Sequence, residues 1–401
     1  MSRTLFRLST PLLLLPALIP SPFASAQDVV CAVGAPAGDV QPATEKESEN
    51  REDMRRLATG AGVKVAVIDT GVARHPQLNQ LVGGADFVTP DAPEPLLDCD
   101  AHGTVVAGII AGTETGIAPD AQIMSIRQSS AHYRTPTPRE GDEDAPPAAG
   151  NLETLTQAIH NALDEKAKVI NISVVSCVEP TLASRVDTRG ITEALNRAEH
   201  EGAVVVAAAG NLTHECPAGS TVYPAHFPTV LTVGARSDAH TMADYSLPVP
   251  EGTTLLSARG DVPLALAPGN KGWSAGIAGE RGAVESFAGT SFAAPVVSGT
   301  AALLRQRYPH ASAGEIRDII TASSEPHGGA VDPLRALTFI EHAQNPDSDP
   351  LQVKPAETVR SAAPARGQWI AVSTVLLAAL SIAAAALRGI LSMSRSTRPR
   401  G

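Results

Sequence analysis

The sequence predicts an α/β fold: a doubly wound, mostly parallel sheet with helices on both faces. Three observations carry that prediction. Val63 to Gly71 (VKVAVIDTG), Lys168 to Val175 (KVINISVV), Ala203 to Asn211 (AVVVAAAGN) and Val230 to Ala235 are short apolar, β-branched runs without polar alternation, as in strands buried on both faces. Helical patterns separate them, so that helix then strand repeats the rhythm of βαβ units. Two further runs, after His102 and after Ser291, are made of small and branched apolar residues, and such helices must be buried all round. A chain of 401 residues, 43% of them hydrophobic, suffices for one large domain plus appendages, and 3% aromatics make its core aliphatic. The formal charge of −11 argues against a nucleic-acid partner, since basic residues cluster only at the last few positions.

In chain order, Met1 to Ala26 carries Arg3 and Arg7, an apolar stretch from Leu12 to Ile19 and then Ala24-Ser25-Ala26, the pattern of a secretory signal cut after Ala26. Residues 27–59 form an N-terminal extension that stays attached to the mature domain, with little pattern from Gln27 to Arg51 and a short surface helix from Glu47 to Leu57. The strand from Val63 ends in Asp69, at the carboxyl end, where open α/β sheets place their chemistry. A loop runs on to Cys99; Asp100 to Gly112 (DAHGTVVAGIIAG) then sets His102 before a glycine and a buried helix. Ile117 to Arg127 reads as a turn and strand, and Ser129 to Gly150, with four prolines and the acidic cluster Glu140 to Asp144, as a polar loop. Asn151 caps a helix with Leu152, Leu155, Ile159, Ala162 and Leu163 at three- and four-residue steps, Gly190 to Glu201 is the next helix, and Ser312 to Ala322 the last. Between them, Phe287 to Ala302 delivers Ser291 to the start of an uncharged helix. There, unpaired N–H groups and the positive end of the helix dipole favour an oxyanion.

Gly367 to Leu387 is free of charge for 21 residues, enough at about 1.5 Å per residue to span a hydrocarbon core of roughly 30 Å. It reads as a single transmembrane helix after a Pro-rich linker at 345–366. Arg388, Arg395, Arg398 and Arg400 make the tail at 388–401 basic and cytoplasmic, which places the preceding domain outside. The four cysteines of an exported chain, Cys31, Cys99, Cys177 and Cys216, have no zinc-site spacing and read as two disulfides.

Asp69, then His102, then Ser291 is the chain order of the subtilisin triad. With these three motifs the sequence resembles the subtilisin-like serine proteases from Gly60 to His342, and the domain they imply occupies 60–344. His75-Pro76 resembles the family's turn after the aspartate, and Leu264 to Pro268 its strand before the nucleophile; Asn270 to Ala283 reads as a glycine-rich insertion. The resemblance implies that Ser291 attacks, His102 carries the proton and Asp69 fixes the histidine tautomer. Asn211, ending AAGN after a strand, matches the family's oxyanion asparagine. It further implies that an extended peptide pairs with Ile172 to Val174 at an exposed sheet edge, so that Ser173, Val174 and Val175 bind substrate. Val175, where common subtilases have glycine, narrows the S1 entrance. No cofactor or metal is required, and no dense acidic loop commits the chain to structural calcium.

The signal, the short Cys-bearing extension, the cysteine before the histidine motif, the acidic loop, NISVVSC and the C-terminal apolar span together resemble the mycosins, membrane-anchored subtilases associated with type VII secretion. That resemblance implies a peptide or protein substrate and a type VII secretion membrane complex at the cell membrane as partner. It also raises a second reading, a scaffold whose catalysis is dispensable. Cys177 and Cys216, each past the carboxyl end of a strand on either side of the cleft, should pair, leaving Cys31 to tie the extension to Cys99.

Overall fold

The computed structural model describes residues 30–38, 45–133, 150–267, 272–326, 329–340, 380 and 382–384. The segment read as a signal at 1–26, most of the acidic loop and nearly all of Gly367 to Leu387 lie outside the described residues. No helix among the described residues is long and apolar enough to cross a membrane. Residues 1–342 form one unit and residues 343–401 another.

The first unit is built on β2 (Lys64–Asp69), β3 (Leu81–Asp86), β4 (Gln122–Arg127), β5 (Val169–Ile172), β7 (Val204–Ala208), β9 (Val230–Arg236) and β10 (Leu255–Arg259), numbered with β1 (Gly34–Pro36), β6 (Ser176–Val178) and β8 (Thr221–Tyr223), which lie elsewhere. The seven form one sheet in the order β10-β9-β7-β5-β2-β4-β3, and every pairing is parallel. Successive residues on a strand face opposite sides, and here they feed two separate cores. Val65, Val67, Val204 and Val206 join one core with α2 (His102–Ala111), α6 (Thr290–Arg307), α7 (Ala313–Ser323) and α8 (Pro333–Thr338). Ala66, Ile68, Val205 and Ala207 join the other with α3 (Leu152–Asp164) and α5 (Arg189–His200). The remaining helices are α1 (Glu45–Leu57), whose Met54 reaches the first core, and the single turn α4 (Pro180–Ala183).

Local chemistry accounts for the helix ends. Asn151 Oδ1 accepts from Thr154 N at 2.8 Å, and Ser312 with Glu315 forms a reciprocal capping box. α6 is uncharged until Arg305 and is buried along most of its length, as its composition requires.

The structure departs from the sequence reading in four places. The segment read as a loop before Cys99 contains β3, an edge strand whose Gly83-Gly84 pair hides its propensity. The glycine-rich segment read as an insertion contains β13 (Trp273–Ala278), which pairs antiparallel with β1 of the extension, with β12 (Ala265–Leu266) and with β14 (Val284–Glu285). β11 (Asp261–Val262) and β15 (Phe287–Ala288) form a further two-stranded ribbon. Within the patternless extension, β1 is only Gly-Ala-Pro, so its order comes from its partner strand and its tether rather than from its residues. The fourth correction concerns substrate pairing: β5 ends at Ile172 and lies between β7 and β2, so Ile172 to Val174 is not a sheet edge. Ser173 to Val175 instead leave the sheet beyond its carboxyl end.

Cys31 is joined to Cys99 at a sequence separation of 68, and Cys177 to Cys216 at a separation of 39. The second bridge staples β6 to the loop leading into β8, its antiparallel partner. In the chain-entropy description each closes a loop worth up to about 4 kcal/mol. Replacing Cys31 and Cys99 together by serine should lower the unfolding free energy by no more than that, read as a fall in the denaturant midpoint in equilibrium unfolding; an unchanged midpoint would mean that the bridge does not restrain the unfolded chain.

Candidate active site

Four chain segments converge above the carboxyl ends of β2, β5 and β7. Asp69 ends β2 and has no exposed surface. Its Oδ1 accepts from Thr70 N at 2.8 Å and is 2.6 Å from His102 Nδ1, while Oδ2 is buried without a hydrogen-bond partner. The approach of the two residues depends on Gly103: a Cβ there would lie 2.0 Å from Gly71 O and 3.1 Å from Asp69 Oδ1. Ala101 immediately before the histidine adopts φ 64°, a left-handed conformation costing a non-glycine residue on the order of 1 kcal/mol, so the helix turns sharply at His102.

The His102 ring packs against Phe292 with centroids 5.0 Å apart, and Phe292 packs in turn on Phe287. Burial pulls the imidazole pKa down, but the Asp69 carboxylate, its hydrogen bond and the charges of Asp98 and Asp100 more than offset this. The net shift is upward.

Ser291 lies in the first turn of α6. Four residues on, Pro295 has no N–H to give back to the Ser291 carbonyl. Ser173 fills that vacancy: its hydroxyl donates to Ser291 O at 2.8 Å, and the Ser291 hydroxyl donates to Ser173 O at 2.9 Å. Asn171 Nδ2 donates to Ser173 Oγ and Asn171 Oδ1 accepts from Ser298 on α6, so a buried amide locks the β5 exit against the helix.

Asn211 is oriented from the same helix. Its Oδ1 accepts from Thr290 N at 2.9 Å and from Thr290 Oγ1 at 3.0 Å, which leaves Nδ2 turned away from that pair. Gly289 permits the approach, since a Cβ at that position would be 3.1 Å from Nδ2.

A cleft of about 1190 Å³ joins these groups, lined among others by His102, Ser173, Val174, Asn211 and Ser291. Its far wall includes Val30 to Val33 of the extension, held there by the Cys31 bridge and by β1. Asp100, Glu280 and Glu285 give it an acidic lining. Val175 lines a neighbouring cavity of about 280 Å³ with Gln128 and Leu155 instead. Among the described residues no cluster of three or more His, Cys, Asp or Glu is arranged to hold a metal ion. Sequence reasoning missed Thr290, Asn171, Phe292 and the buried carboxylate Asp98. The first and third flank Ser291, and that adjacency was the available signal.

The subtilase family matches residues 60–349. Mycosin-4 of Mycobacterium tuberculosis is 36% identical over 381 residues, covering 87% of this chain and 81% of that protein. The crystal structure of MycP1 from Mycobacterium smegmatis superimposes with a TM-score of 0.69 at 32% identity, covering 81% of this chain and 92% of that one. A chain in an intact ESX-5 inner membrane complex gives a TM-score of 0.70 at 32% identity, covering 92% and 94%.

Because the pKa of His102 is raised, the imidazolium contributes stability that is fully present below about pH 6.5 and lost as pH rises through the folded value. The ring resonances should therefore titrate with a midpoint above 6.5, and Asp69→Asn should bring that midpoint down. An identical midpoint in the variant would show that Asp69 is not the cause.

Proposed function

The chain belongs to the subtilase family of serine endopeptidases, and we propose on that premise that Asp69, His102 and Ser291 form its proton-transfer unit, with Asn211 beside them. The observation that carries the assignment is the 2.6 Å contact between Asp69 Oδ1 and His102 Nδ1, in a cleft that Ser291 and Asn211 share. With Nδ1 engaged, only Nε2 of the imidazole is available as a base. It takes the Ser291 Oγ proton as that oxygen adds to a peptide carbonyl, then returns the proton to the leaving amine as the acyl-enzyme forms; water repeats the sequence in reverse to release the acid. In the resting site the serine hydroxyl is parked on Ser173 O, so attack begins with its turn towards the histidine. Asn211 Nδ2 and the Ser291 N–H, at the positive end of α6, stabilise the oxyanion.

The substrate is an extended peptide lying along Ser173 and Val174, whose backbone beyond β5 offers hydrogen bonds not used by the sheet. Val175 shapes the adjacent cavity. We assign the chain a signal at 1–26, an attached extension at 27–59, the peptidase at 60–344, a linker at 345–366, a membrane anchor at 367–387 and a cytoplasmic tail at 388–401. The peptidase then faces the extracytoplasmic side of the cell membrane. The mycosin relatives and the ESX-5 inner membrane complex support a place in a type VII secretion membrane complex, which the domain helps to stabilise in addition to cleaving secreted proteins.

Ser291→Ala or His102→Ala should leave a folded, exported chain with peptide hydrolysis at background, and Asp69→Asn should retain somewhat more activity. Asn211→Ala should lower turnover by about 10²- to 10³-fold, a range established on subtilisin itself. Turnover of a peptide panel by Ser291→Ala at the wild-type rate would refute the nucleophile. In the same variant, secretion-complex assembly that persists without hydrolysis would identify the scaffold role.

The anchor is tested separately, by exchanging Gly367 to Leu387 for an unrelated single-pass helix of equal length. Retained complex stability reduces the segment to a tether; loss of the complex with hydrolysis preserved makes it an assembly contact through its small residues.

A further inference from the structure

Asp98 is a second buried carboxylate beside the Asp69–His102 pair, and the proposed chemistry leaves it without a task. Its Oδ2 accepts from Thr104 N at 2.8 Å and from Thr104 Oγ1 at 2.6 Å, on the first turn of the helix that starts at His102. Its Oδ1 accepts from Thr70 Oγ1 at 2.8 Å, on the residue that follows Asp69. Thr104 Oγ1 in turn accepts from Ala73 N, and Thr70 Oγ1 accepts from Gly103 N at 3.1 Å, so the strand end and the helix start are cross-linked twice.

We propose that Asp98 is a positioning residue of the proton-transfer unit: it clamps the chain after Asp69 to the helix that carries His102, and through the Thr70 hydroxyl it sets how many hydrogen bonds Asp69 Oδ1 receives. Thr70 Oγ1 lies 2.8 Å from Asp98 Oδ1 and 3.2 Å from Asp69 Oδ1, and it has one proton for the two. While Asp98 is ionised that proton goes to Asp98, and Asp69 Oδ1 is left with Thr70 N and His102. When Asp98 takes up a proton, Oδ1 is the site, because Oδ2 is engaged by two donors on Thr104. The new O–H then donates to Thr70 Oγ1, which still accepts from Gly103 N, and the Thr70 proton turns to Asp69 Oδ1. A third donor on that oxygen weakens its hold on the imidazolium, and the negative charge of Asp98 is lost at the same time. Both changes lower the basicity of His102.

The charged groups around this cluster are Asp69 from β2, and Asp100 and His102 at the start of α2; Arg127, register partner of Asp69 on β4, is engaged with Asp86. Burial pushes the Asp98 carboxyl up; Thr104 and Thr70 oppose this and the Asp69 charge adds to it, with the result at about 6. Asp98 therefore changes charge in the pH range where the histidine also titrates.

This inference rests on the triad reading, and its test separates the two. The full chain in membranes is labelled at Ser291 with a fluorophosphonate probe, and the labelling rate is followed against pH in the wild type, Asp98→Asn, Thr70→Val and Thr70→Ser. Asparagine reproduces the protonated arrangement, its carbonyl accepting from Thr104 and its amide donating to Thr70. Its acid limb should move to lower pH by about half a unit while the plateau rate stays within several-fold of wild type. Thr70→Val, which takes away the hydroxyl that would turn to Asp69 Oδ1, should move the limb the opposite way, to higher pH, and Thr70→Ser, which keeps it, should leave the limb in place. If Asp98→Asn fails to fold by thermal melting, the two Thr70 variants decide the matter alone. A limb that stays in place in Asp98→Asn, or is the same in Thr70→Val and Thr70→Ser, overturns the role of Asp98. Failure of the wild type to label, or equal labelling of Ser291→Ala, sinks the triad reading instead.

Discussion

Asp69 is a carboxylate with no exposed surface, on a strand covered by helices on both faces, and an ionised group in that position is tolerable only if it is paired and hydrogen-bonded. Much of the local architecture meets this requirement. Thr70 N and His102 converge on Oδ1, and Gly103 allows the histidine-bearing helix to approach within contact of the strand end. Asp98 holds the two segments from behind. Burial strengthens each hydrogen bond to Asp69, so the pair is both a structural clamp and the feature that keeps His102 basic.

The helices that bring in His102 and Ser291 obey a related constraint. Both are approached from all sides, which only small and aliphatic residues permit at close range. At Gly299, for instance, a Cβ would lie 2.6 Å from Ile117 Cβ. Each helix also presents hydrogen-bonding groups at its first turn, where the backbone N–H groups have no intrahelical partners. Pro295 extends this logic by one step, freeing the Ser291 carbonyl that Ser173 then ties to the end of β5. Catalysis at helix starts and strand ends is thus where this fold leaves hydrogen-bonding capacity unspent.

The main sheet was legible because its strands are uniformly apolar and its helices strongly patterned; those signals are local and need no partner to interpret. Asp69, His102, Ser291 and Asn211, which the fold brings together, stand out as candidates in sequence because each sits near a strand end or helix start within two residues of a glycine. What was not legible depends on contacts distant in sequence. β1 is three small residues, and it is a strand because Trp273–Ala278 lies alongside it. β3 has two glycines in its middle and gains its order at the sheet edge from β4. The β5 exit reads in sequence as a sheet edge because sequence specifies a strand but not its neighbours. Asp98 reads as one more acidic residue in a loop until Thr70 and Thr104 are seen closing on it.

The extension shows how a weakly patterned segment acquires a defined place. The stretch of it at residues 30–38 carries little apolar surface, and Val30 and Val33 are exposed, so burial alone would not hold that stretch. Two restraints from the domain do: the Cys31 bridge, which brings the chain to Cys99 three residues before His102, and the antiparallel pairing of β1 with β13. Ala32 N donates to Cys99 O at 2.8 Å and Ala278 N to Val33 O at 2.8 Å, so the backbone is fixed on both sides along this stretch. A segment held in this way borders the cleft without filling it, and a cut after it would not release it. The mature chain beginning near Gln27 should therefore hydrolyse peptides without removal of the extension, and activity that appeared only once residues 27–59 had been lost would contradict this account of the wall.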